Sequence, residues 1–269
     1  MCGITAGLGV DSIYSLLLLS LGQLQNRGYD SAGIATINTT LDNDQNTIVI
    51  NKYASTIQNS AIDKLQQVEA PNSRIGIGHT RWATHGPKTD LNSHPHLSSD
   101  EKVCIVHNGI IENYSLLKQN LLEAGYTFKS QTDSEVIANL ISQKLKETKD
   151  IQQAIQITVS MLEGTWGLAI ICTDYPKNLY CTRHGSPLLV SYNEEFAMVT
   201  SEQIGFCGKV NNYLVLDDGD ICSITSNNNT ITVDTVHQYQ FMNINTNETC
   251  ITPDPYPHWT IKEIHEQID

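Results

Sequence analysis

The first residue of this sequence that could do chemistry is Cys2, which follows Met1 and precedes Gly3. An initiator methionine is normally removed when the next residue is small, and its removal would leave Cys2 with a free α-amine beside its thiol. An α-amine titrates at about pH 8, so a useful fraction of it is neutral at pH 7. Such an amine can take the thiol proton and later return it to a leaving group. Cys2 can therefore act as nucleophile and general base, unless the chain begins Met-Cys by chance.

A second candidate is the pair Asn108-Gly109, which follows a predicted strand over 103–107. Polar groups at strand ends lie on loops that a rigid scaffold holds in place. An asparagine amide and the next backbone N–H can point at one oxygen, which is the geometry that stabilises a developing oxyanion. The alternative is a tight hairpin turn, the commonest use of Asn-Gly. A helix is predicted next, over 111–124, and this weakens the alternative.

Several histidines invite the hypothesis of a metal site. His94 and His96 are separated by one residue, and His79, His85 and His107 come before and after them. However, no carboxylate or cysteine stands at the spacing that metal ligands usually show, and the proline between His94 and His96 makes that segment rigid. We therefore expect no metal.

Composition limits the classes of function. The 269 residues carry a formal charge of −13, from 29 acidic and 16 basic residues, which argues against nucleic acid or an anionic membrane as a partner. There is no apolar run of about 18 residues that could span a membrane, and no basic flank that would indicate a secretory signal. The seven scattered cysteines form no C-x-x-C pair, so we expect a reducing compartment and a cytoplasmic protein.

Helical and strand patterns alternate along the chain without a regular strand–helix–strand rhythm. The apolar periodicity predicts helices over 11–25, 57–68, 111–124, 134–146 and 151–162. Strands are predicted over 32–37, 47–53, 74–80, 103–107, 166–172, 179–183, 188–192, 196–199, 213–216, 220–224 and 230–236. This combination indicates an α+β protein, with sheets packed together and helices outside.

Six motifs in chain order carry a resemblance to a known family. They are Cys2–Ile4, Arg27–Gly33, His79–Gly86, Asn92–His96, His107–Tyr114 and Thr132–Ala138. With them, the chain resembles the glutaminase domain of the glutamine–fructose-6-phosphate aminotransferases, which are class II glutamine amidotransferases of the N-terminal-nucleophile hydrolase type. The resemblance covers nearly the whole chain and implies a four-layer αββα sandwich. It assigns 1–240 to the glutaminase domain and 241–269 to a linker toward a sugar-isomerase domain.

The resemblance implies a role for each candidate residue. Cys2 would attack the carboxamide carbon of glutamine, release ammonia and leave a γ-glutamyl thioester for water to hydrolyse. Asn108 and the backbone N–H of Gly109 would form the oxyanion hole. Arg81 would bind the α-carboxylate of the substrate, and Asp133 would bind its α-ammonium group. Two alternatives stay open, since Arg81 could form a surface ion pair and Asp133 could be only a helix N-cap.

The same resemblance places further residues near the substrate and the nucleophile. Trp82, Thr84 and His85 would line the pocket or belong to a loop that closes over glutamine. Arg27 would organise the amino terminus. A thiol protease of the papain type, with an internal cysteine and His107, is a rival interpretation, and it would not need the α-amine.

The function that the resemblance implies is hydrolysis of L-glutamine to supply ammonia for glucosamine 6-phosphate in hexosamine synthesis, without a metal or organic cofactor. The family's second half, with two sugar-phosphate isomerase lobes, is expected as a separate domain or subunit that takes fructose 6-phosphate as the acceptor. That half could also mediate a homo-oligomer. The alternative is a glutamine-binding or regulatory module that is inactive without the isomerase half.

Overall fold

The computed structural model describes residues 2–9, 12–39, 46–82 and 86–244, and of Arg27 only the backbone. The strands are β1 (Gly3–Leu8), β2 (Ser31–Thr39), β3 (Asn46–Ala54), β4 (Ile75–Arg81), β5 (His96–Leu97), β6 (Val103–Ile111), β7 (Gly164–Cys172), β8 (Asn178–His184), β9 (Leu189–Tyr192), β10 (Ala197–Thr200), β11 (Asn212–Val215), β12 (Ile221–Asn227), β13 (Thr230–Asp234) and β14 (Met242–Asn243). The helices are α1 (Ile13–Gln23), α2 (Ala61–Gln66), α3 (Tyr114–Glu123), α4 (Ser134–Thr148) and α5 (Ile151–Met161).

These strands form two antiparallel sheets. The larger sheet has eight strands in the order β14-β11-β9-β10-β1-β4-β2-β3, and the smaller has six in the order β13-β12-β8-β7-β6-β5. Strand β1 lies inside the larger sheet, between β10 and β4. Strand β6 pairs with β7 along its whole length, from Val103 opposite Cys172 to Ile111 opposite Gly164. Strand β1 is therefore supported on both sides, and strand β6 is supported by β7 along its full length.

Three hydrophobic layers separate the sheets and helices. Side chains from both sheets, such as Ile4, Ile77 and Val106, form the central core between them. Helices α1 and α2 cover the outer face of the larger sheet, and α3, α4 and α5 cover the outer face of the smaller one. The fold is therefore a four-layer αββα sandwich, and the predicted fold class is confirmed.

The alternation of side chains along the strands determines where the candidate residues lie. Successive residues of a strand point to opposite faces of the sheet. The even-numbered residues of β1 and of the first part of β6 enter the central core, as do the odd-numbered residues of β4. Cys2, Arg81 and Asn108 continue these three series at one end of the core. The alternation of side chains along β1, β4 and β6 therefore brings the three residues together.

The helix starts differ from their predictions. Helix α1, predicted over 11–25, has Ser12 at its N-cap position, and the Ser12 side chain makes no capping hydrogen bond. Helix α2 is shorter than the predicted 57–68, because the side chains of Ser60 and Asp63 form a capping box that starts the helix at residue 61. The helical periodicity thus located both elements, while local side-chain hydrogen bonds decided where α2 begins.

The predicted linker over 241–269 lies mostly outside the described residues. Met242 and Asn243 pair with β11 as the short strand β14, whereas the chain from residue 245 onward is not described. The domain boundary at residue 240 stays a prediction. Within the described ranges, the helices are all too short or too polar to cross a lipid bilayer.

Candidate active site

Cys2 lies directly before β1 and is held by the backbone contacts of that strand. The N–H of Gly3 donates a hydrogen bond to the Thr80 hydroxyl at 3.2 Å, and this hydroxyl donates to the carbonyl of Leu24 at 3.1 Å. Cys2 itself is half-buried at the end of the central core. The pairing of β1 with β4 therefore fixes the residue while leaving it accessible.

The thiol of Cys2 faces the backbone of Trp82. The Trp82 N–H donates to Sγ at 3.2 Å, and Sγ lies 3.7 Å from the carbonyl oxygen of the same residue. Burial raises the pKa of the thiol, while the Trp82 N–H and the charge of Arg81 act in the opposite direction. The thiol is therefore protonated at neutral pH, and a base must take its proton before the sulfur can attack.

Gly28 allows a close approach of the chain to the peptide between Arg81 and Trp82. A Cβ atom at Gly28 would lie 2.5 Å from the carbonyl carbon of Arg81 and 2.7 Å from the nitrogen of Trp82. Nearby, the Asp30 N–H donates to the carbonyl of Arg81 at 3.1 Å. The glycine of the Arg27–Gly33 motif thus supports the peptide whose N–H contacts the thiol. The sequence motif contains this glycine, but its residue types alone do not predict the contact.

Arg81 is the last residue of β4 and is only 5% exposed. A surface ion pair is therefore the wrong interpretation of this residue. Burial lowers the pKa of its guanidinium, while the carboxylates of Asp30 and Asp133 act in the opposite direction and favour the charged form. An arginine side chain stays protonated in proteins. Arg81 thus brings a positive charge to the end of the core where Cys2 and Asp133 also lie.

Asp133 occupies the N-cap position of α4, but its side chain makes no capping hydrogen bond. Its carboxylate accepts instead from the backbone N–H of Ile111 at 2.9 Å and from the Ser134 hydroxyl at 3.3 Å. The interpretation of Asp133 as a simple N-cap is therefore wrong. The Asp133 carboxylate is therefore anchored at the end of β6 by Ile111, which follows Asn108 closely in the same strand.

Asn108 and Gly109 lie inside β6, so they do not form a hairpin turn. Asn108 Nδ2 donates to the carbonyl oxygen of Cys2 at 2.7 Å, from one sheet to the other. Gly109 has a φ of +140°, and a Cβ atom there would lie 2.0 Å from the carbonyl oxygen of Thr165 on β7. Only glycine can occupy this position. The amide of Asn108 therefore meets the backbone of the candidate nucleophile directly.

His79, considered from the sequence only as a metal ligand, contacts the other end of the same amide. Its Nε2 lies 2.9 Å from Asn108 Oδ1 and 3.1 Å from the carbonyl oxygen of His107. The His107 side chain points to the opposite face of β6, where its Nδ1 lies 2.9 Å from the Ser134 hydroxyl. The position of His107 thus does not favour the papain-type pairing of a cysteine with this histidine.

Three buried histidine rings pack against one another beside Asn108. The ring centroids of His79 and His94 are 4.1 Å apart, and those of His94 and His96 are 4.5 Å apart. Burial lowers the pKa of all three, to about 3 for His79. Across residues 2–9, 12–39, 46–82 and 86–244, no three histidine, cysteine or acidic side chains form a group that could hold a metal ion. The three rings are therefore a packed, uncharged cluster.

The remaining predicted site residues lie at the rim or outside the described ranges. The Trp82 ring is 43% exposed and packs edge-to-face on Tyr29, with 5.4 Å between ring centroids. Thr84 and His85 lie outside the described residues, as does the side chain of Arg27, whose backbone ends a short 3₁₀ helix. The predicted roles of these residues stay predictions.

Comparison with known proteins places this geometry in context. The sequence profile of a family described as "Glutamine amidotransferase domain" matches residues 79–207. The glutamine–fructose-6-phosphate aminotransferase (isomerizing) of Acinetobacter baylyi is 38% identical over 268 residues, which are 99% of this chain and 42% of that protein. The probable enzyme of the same name from Acanthamoeba polyphaga mimivirus is 38% identical over 277 residues, which cover 99% of this chain and 44% of that protein. The chain thus spans less than half the length of these relatives.

Two solved structures share the fold of this chain. One is the glutamine phosphoribosylpyrophosphate amidotransferase from B. subtilis complexed with ADP and GMP, with a TM-score of 0.69 and 22% identity over 87% of this chain and 49% of that one. The other is described as the allosteric regulatory enzyme of purine biosynthesis, with a TM-score of 0.69 and 23% identity over 87% of this chain and 48% of that one. At this identity the likeness shows the fold.

Proposed function

The chain belongs to the glutamine amidotransferase domain family, and from that membership we propose that it hydrolyses L-glutamine to glutamate and ammonia. The nucleophile is Cys2, and the reaction passes through a γ-glutamyl thioester on its sulfur. One observation carries the proposal: two donors converge on Cys2. The Trp82 N–H lies 3.2 Å from Sγ, and Asn108 Nδ2 lies 2.7 Å from the carbonyl oxygen.

In the first half-reaction, the α-amine of Cys2, free once Met1 is removed, takes the thiol proton, and the sulfur attacks the carboxamide carbon. The electrons of the C=O double bond move to oxygen and create an oxyanion. An asparagine amide has two N–H groups, so Asn108 can hold the Cys2 carbonyl with one and the oxyanion with the other, together with the N–H of Gly109. The α-ammonium then protonates the carboxamide nitrogen, the C–N bond breaks, and ammonia leaves.

In the second half-reaction, water hydrolyses the thioester at the same position. The α-amine takes a proton from water, and the hydroxyl oxygen attacks the thioester carbon, so the oxyanion forms again between the same donors. The C–S bond then breaks, the sulfur regains its proton from the α-ammonium, and glutamate leaves. This acyl transfer needs no metal or organic cofactor, because one cysteine supplies both the nucleophile and the base.

The charged ends of glutamine match the two buried charges near Cys2. The planar guanidinium of Arg81 suits bidentate binding of the substrate α-carboxylate, and Asp133 offers a carboxylate to its α-ammonium group. Trp82, Thr84 and His85 complete the pocket or close over it, which would exclude water from the thioester before ammonia leaves. Arg27 supports the amino terminus.

The wider role of the chain is to supply ammonia for amino-sugar synthesis. The relatives named above are glutamine–fructose-6-phosphate aminotransferases, and this chain spans less than half of their length. The ammonia would pass to a sugar-isomerase domain or subunit that carries fructose 6-phosphate and forms glucosamine 6-phosphate. We place this activity in the cytoplasm, and we expect any homo-oligomer to form through the isomerase half.

Intact mass spectrometry combined with a glutaminase assay tests the proposal. We expect the purified chain to lack Met1 and to gain one adduct per molecule when it reacts with an electrophilic glutamine analogue, such as a γ-diazoketone. Peptide mapping should find the adduct on Cys2. Replacement of the nucleophile, Cys2→Ala, should abolish labelling and lower the turnover of glutamine by about 10⁴-fold or more.

Cys207 provides a matched control, because it is also a half-buried cysteine. The Cys207→Ala variant should be labelled and should turn over glutamine like the unaltered chain. An active chain that retains Met1, or an active Cys2→Ala variant, would exclude the proposed mechanism. A chain that binds glutamine but has the turnover of Cys2→Ala would instead be a binding module.

A further inference from the structure

We propose that His79 is a positioning residue, which fixes the side-chain amide of Asn108 with its nitrogen toward Cys2 and its oxygen away from it. This inference rests on the proposed function, because it concerns the donor assigned to the oxyanion. His79 lies on β4 of the larger sheet, and Asn108 lies on β6 of the smaller one. The contact between them joins the two sheets immediately behind the candidate nucleophile.

The hydrogen-bond partners of His79 decide which of its nitrogens carries the proton. Nε2 lies 3.1 Å from the carbonyl oxygen of His107, and a peptide carbonyl can only accept a hydrogen bond. Nε2 must therefore be the protonated nitrogen of the neutral ring. The same N–H faces Asn108 at 2.9 Å. Since an N–H cannot bond to an NH₂ group, the amide atom facing His79 must be the oxygen.

The opposite end of the amide then has a defined chemistry. With its oxygen directed at His79, Asn108 directs its NH₂ group toward Cys2, where one N–H reaches the Cys2 carbonyl at 2.7 Å. The second N–H is available for the oxyanion. If the Asn108 amide were flipped, the lone pairs of its oxygen would face the Cys2 carbonyl oxygen and the oxyanion. They would repel the negative charge that develops on the oxyanion. His79 thus determines whether Asn108 stabilises or opposes the oxyanion.

The surroundings of His79 prevent the ring from turning. His79 is fully buried, and its ring packs against that of His94 with 4.1 Å between centroids. The segment that carries His94 is held in turn by Lys52, whose ammonium group donates to the carbonyls of Leu91, Ser93 and Pro95 at 3.2, 2.7 and 3.0 Å. A neutral amine has only two N–H groups, so this arrangement needs a charged lysine.

Three variants of His79 test the inference by activity. His79→Leu removes the donor, His79→Gln can place an amide N–H near the position of Nε2, and His79→Asn is a shorter amide that places it near Nδ1 instead. For the full chain acting on glutamine, we expect His79→Leu to lower kcat by about 10- to 100-fold, less than the loss of a whole oxyanion donor. KM should change by less than about threefold, since His79 does not contact the substrate, and His79→Gln should recover most of kcat.

A double-mutant cycle separates positioning from a general loss of structure. If His79 acts through Asn108, His79→Leu should have no further effect on kcat in an Asn108→Ala background. The inference would be overturned if the kcat losses of His79→Leu and Asn108→Ala multiplied in the double variant. It would also be overturned if the kcat of His79→Leu alone were within twofold of that of the unaltered chain. If His79→Leu fails to fold, the comparison of His79→Gln with His79→Asn tests the inference instead. Equal kcat values for these two variants would overturn it.

Nitrogen-15 NMR of the imidazole gives a readout that does not depend on turnover. We expect the chemical shift of His79 Nε2 to be that of a protonated, pyrrole-type nitrogen, and that of Nδ1 to be pyridine-type, throughout pH 6 to 8. The opposite tautomer would overturn the inference whatever the activity. By contrast, an inactive chain with the expected tautomer would count against the proposed function and leave the orientation of Asn108 in place.

Discussion

Two regions of the molecule bury ionisable side chains in opposite ways. Near Cys2, the imidazoles of His79, His94 and His96 lose their charge, because burial lowers their pKa. Within the described residues, neither ring nitrogen of His94 has a hydrogen-bond partner. The site thus keeps polar atoms that burial leaves unsatisfied, at a cost to the stability of the fold.

The second region surrounds Asp220, at the start of β12. Burial alone would raise the pKa of this carboxyl group, but it accepts hydrogen bonds from the Tyr239 hydroxyl at 2.6 Å and the Val236 N–H at 3.1 Å, and these lower the pKa below its ordinary value. Asp220 therefore keeps its charge and anchors the segment that follows β13. Partners, more than burial, decide which group stays ionised.

The largest expected effect distinguishes two glycines with positive φ, one in each region. A Cβ atom at Gly109 would collide with the carbonyl of Thr165, whereas Gly219, with a φ of +86°, has nothing within 4 Å of that position. We expect Gly109→Ala to lower kcat/KM for glutamine by about 10²- to 10³-fold, because it displaces the oxyanion donors. Steady-state kinetics at saturating and limiting glutamine measures this loss.

Gly219→Ala is the control for backbone strain without a collision. It should cost about 1–2 kcal/mol of unfolding free energy, the usual penalty for a left-handed non-glycine residue, and leave glutamine turnover unchanged. Equal losses of activity in both variants would mean that the collision at Gly109 has no special effect on the site. The functional difference between the regions would then disappear.

The next effect concerns the anchored carboxylate. Asp220→Asn should lower the unfolding free energy by about 2–3 kcal/mol at pH 7, since a buried acceptor of several hydrogen bonds loses its charge. The unfolding transition in urea, followed by circular dichroism, measures this. Asp234→Asn is the matched control, because Asp234 is exposed at the end of β13. It should change stability by less than about 0.5 kcal/mol.

The pH dependence of this difference sharpens the test. The pKa of Asp220 is lower in the folded than in the unfolded state, so its charge stabilises the fold above the ordinary carboxyl pKa, and the contribution is lost as the pH falls through the folded pKa. The difference in stability between the unaltered chain and Asp220→Asn should therefore begin to shrink only as the pH falls below about 4, and it should disappear below the folded pKa. A difference that persisted there would show that the charge of Asp220 is not its main contribution.

The sequence predicted the layered fold and the type of site better than it predicted the contacts within the site. Apolar alternation identified eleven strands but missed β1, β5 and β14. The motifs indicated Cys2 and Asn108, but the pattern ended β6 before Asn108 because polar residues follow an apolar run. The structure instead continues the strand to Ile111. The pairing of β6 with β7 overrides the local polarity, and backbone pairing of this kind cannot be read from one strand alone.

The roles of His79, Asp133 and Asp220 depend on contacts between distant parts of the chain. His79 meets Asn108 only because two sheets pack face to face, and Asp133 fails to cap α4 because the Ile111 N–H is near enough to take its carboxylate. Asp220 follows two acids and a glycine, which is typical of an exposed turn. In each case the residue type was compatible with several environments, and the tertiary contact selected one.

The smallest expected effect tests whether the histidines near Cys2 are kept neutral at the expense of stability. Because the pKa of His94 is lower in the folded state than its ordinary value of about 6.5, the unfolded chain binds more protons below that pH, and the unfolding free energy decreases as the pH falls. His94→Phe removes this group along with its two unpartnered nitrogens. By linkage, a single strongly depressed histidine costs about 1.4 kcal/mol at pH 5.5 and almost nothing at pH 8.

Urea unfolding at pH 8 and pH 5.5 measures this difference, with the pH 8 value as the control for packing. When the pH falls from 8 to 5.5, the unfolding free energy of His94→Phe should decrease by about 1.4 kcal/mol less than that of the unaltered chain. Equal losses in the two proteins would mean that His94 takes up its proton in the folded state as readily as in the unfolded one. The two regions would then differ in their hydrogen bonds, but not in the way burial controls their charge.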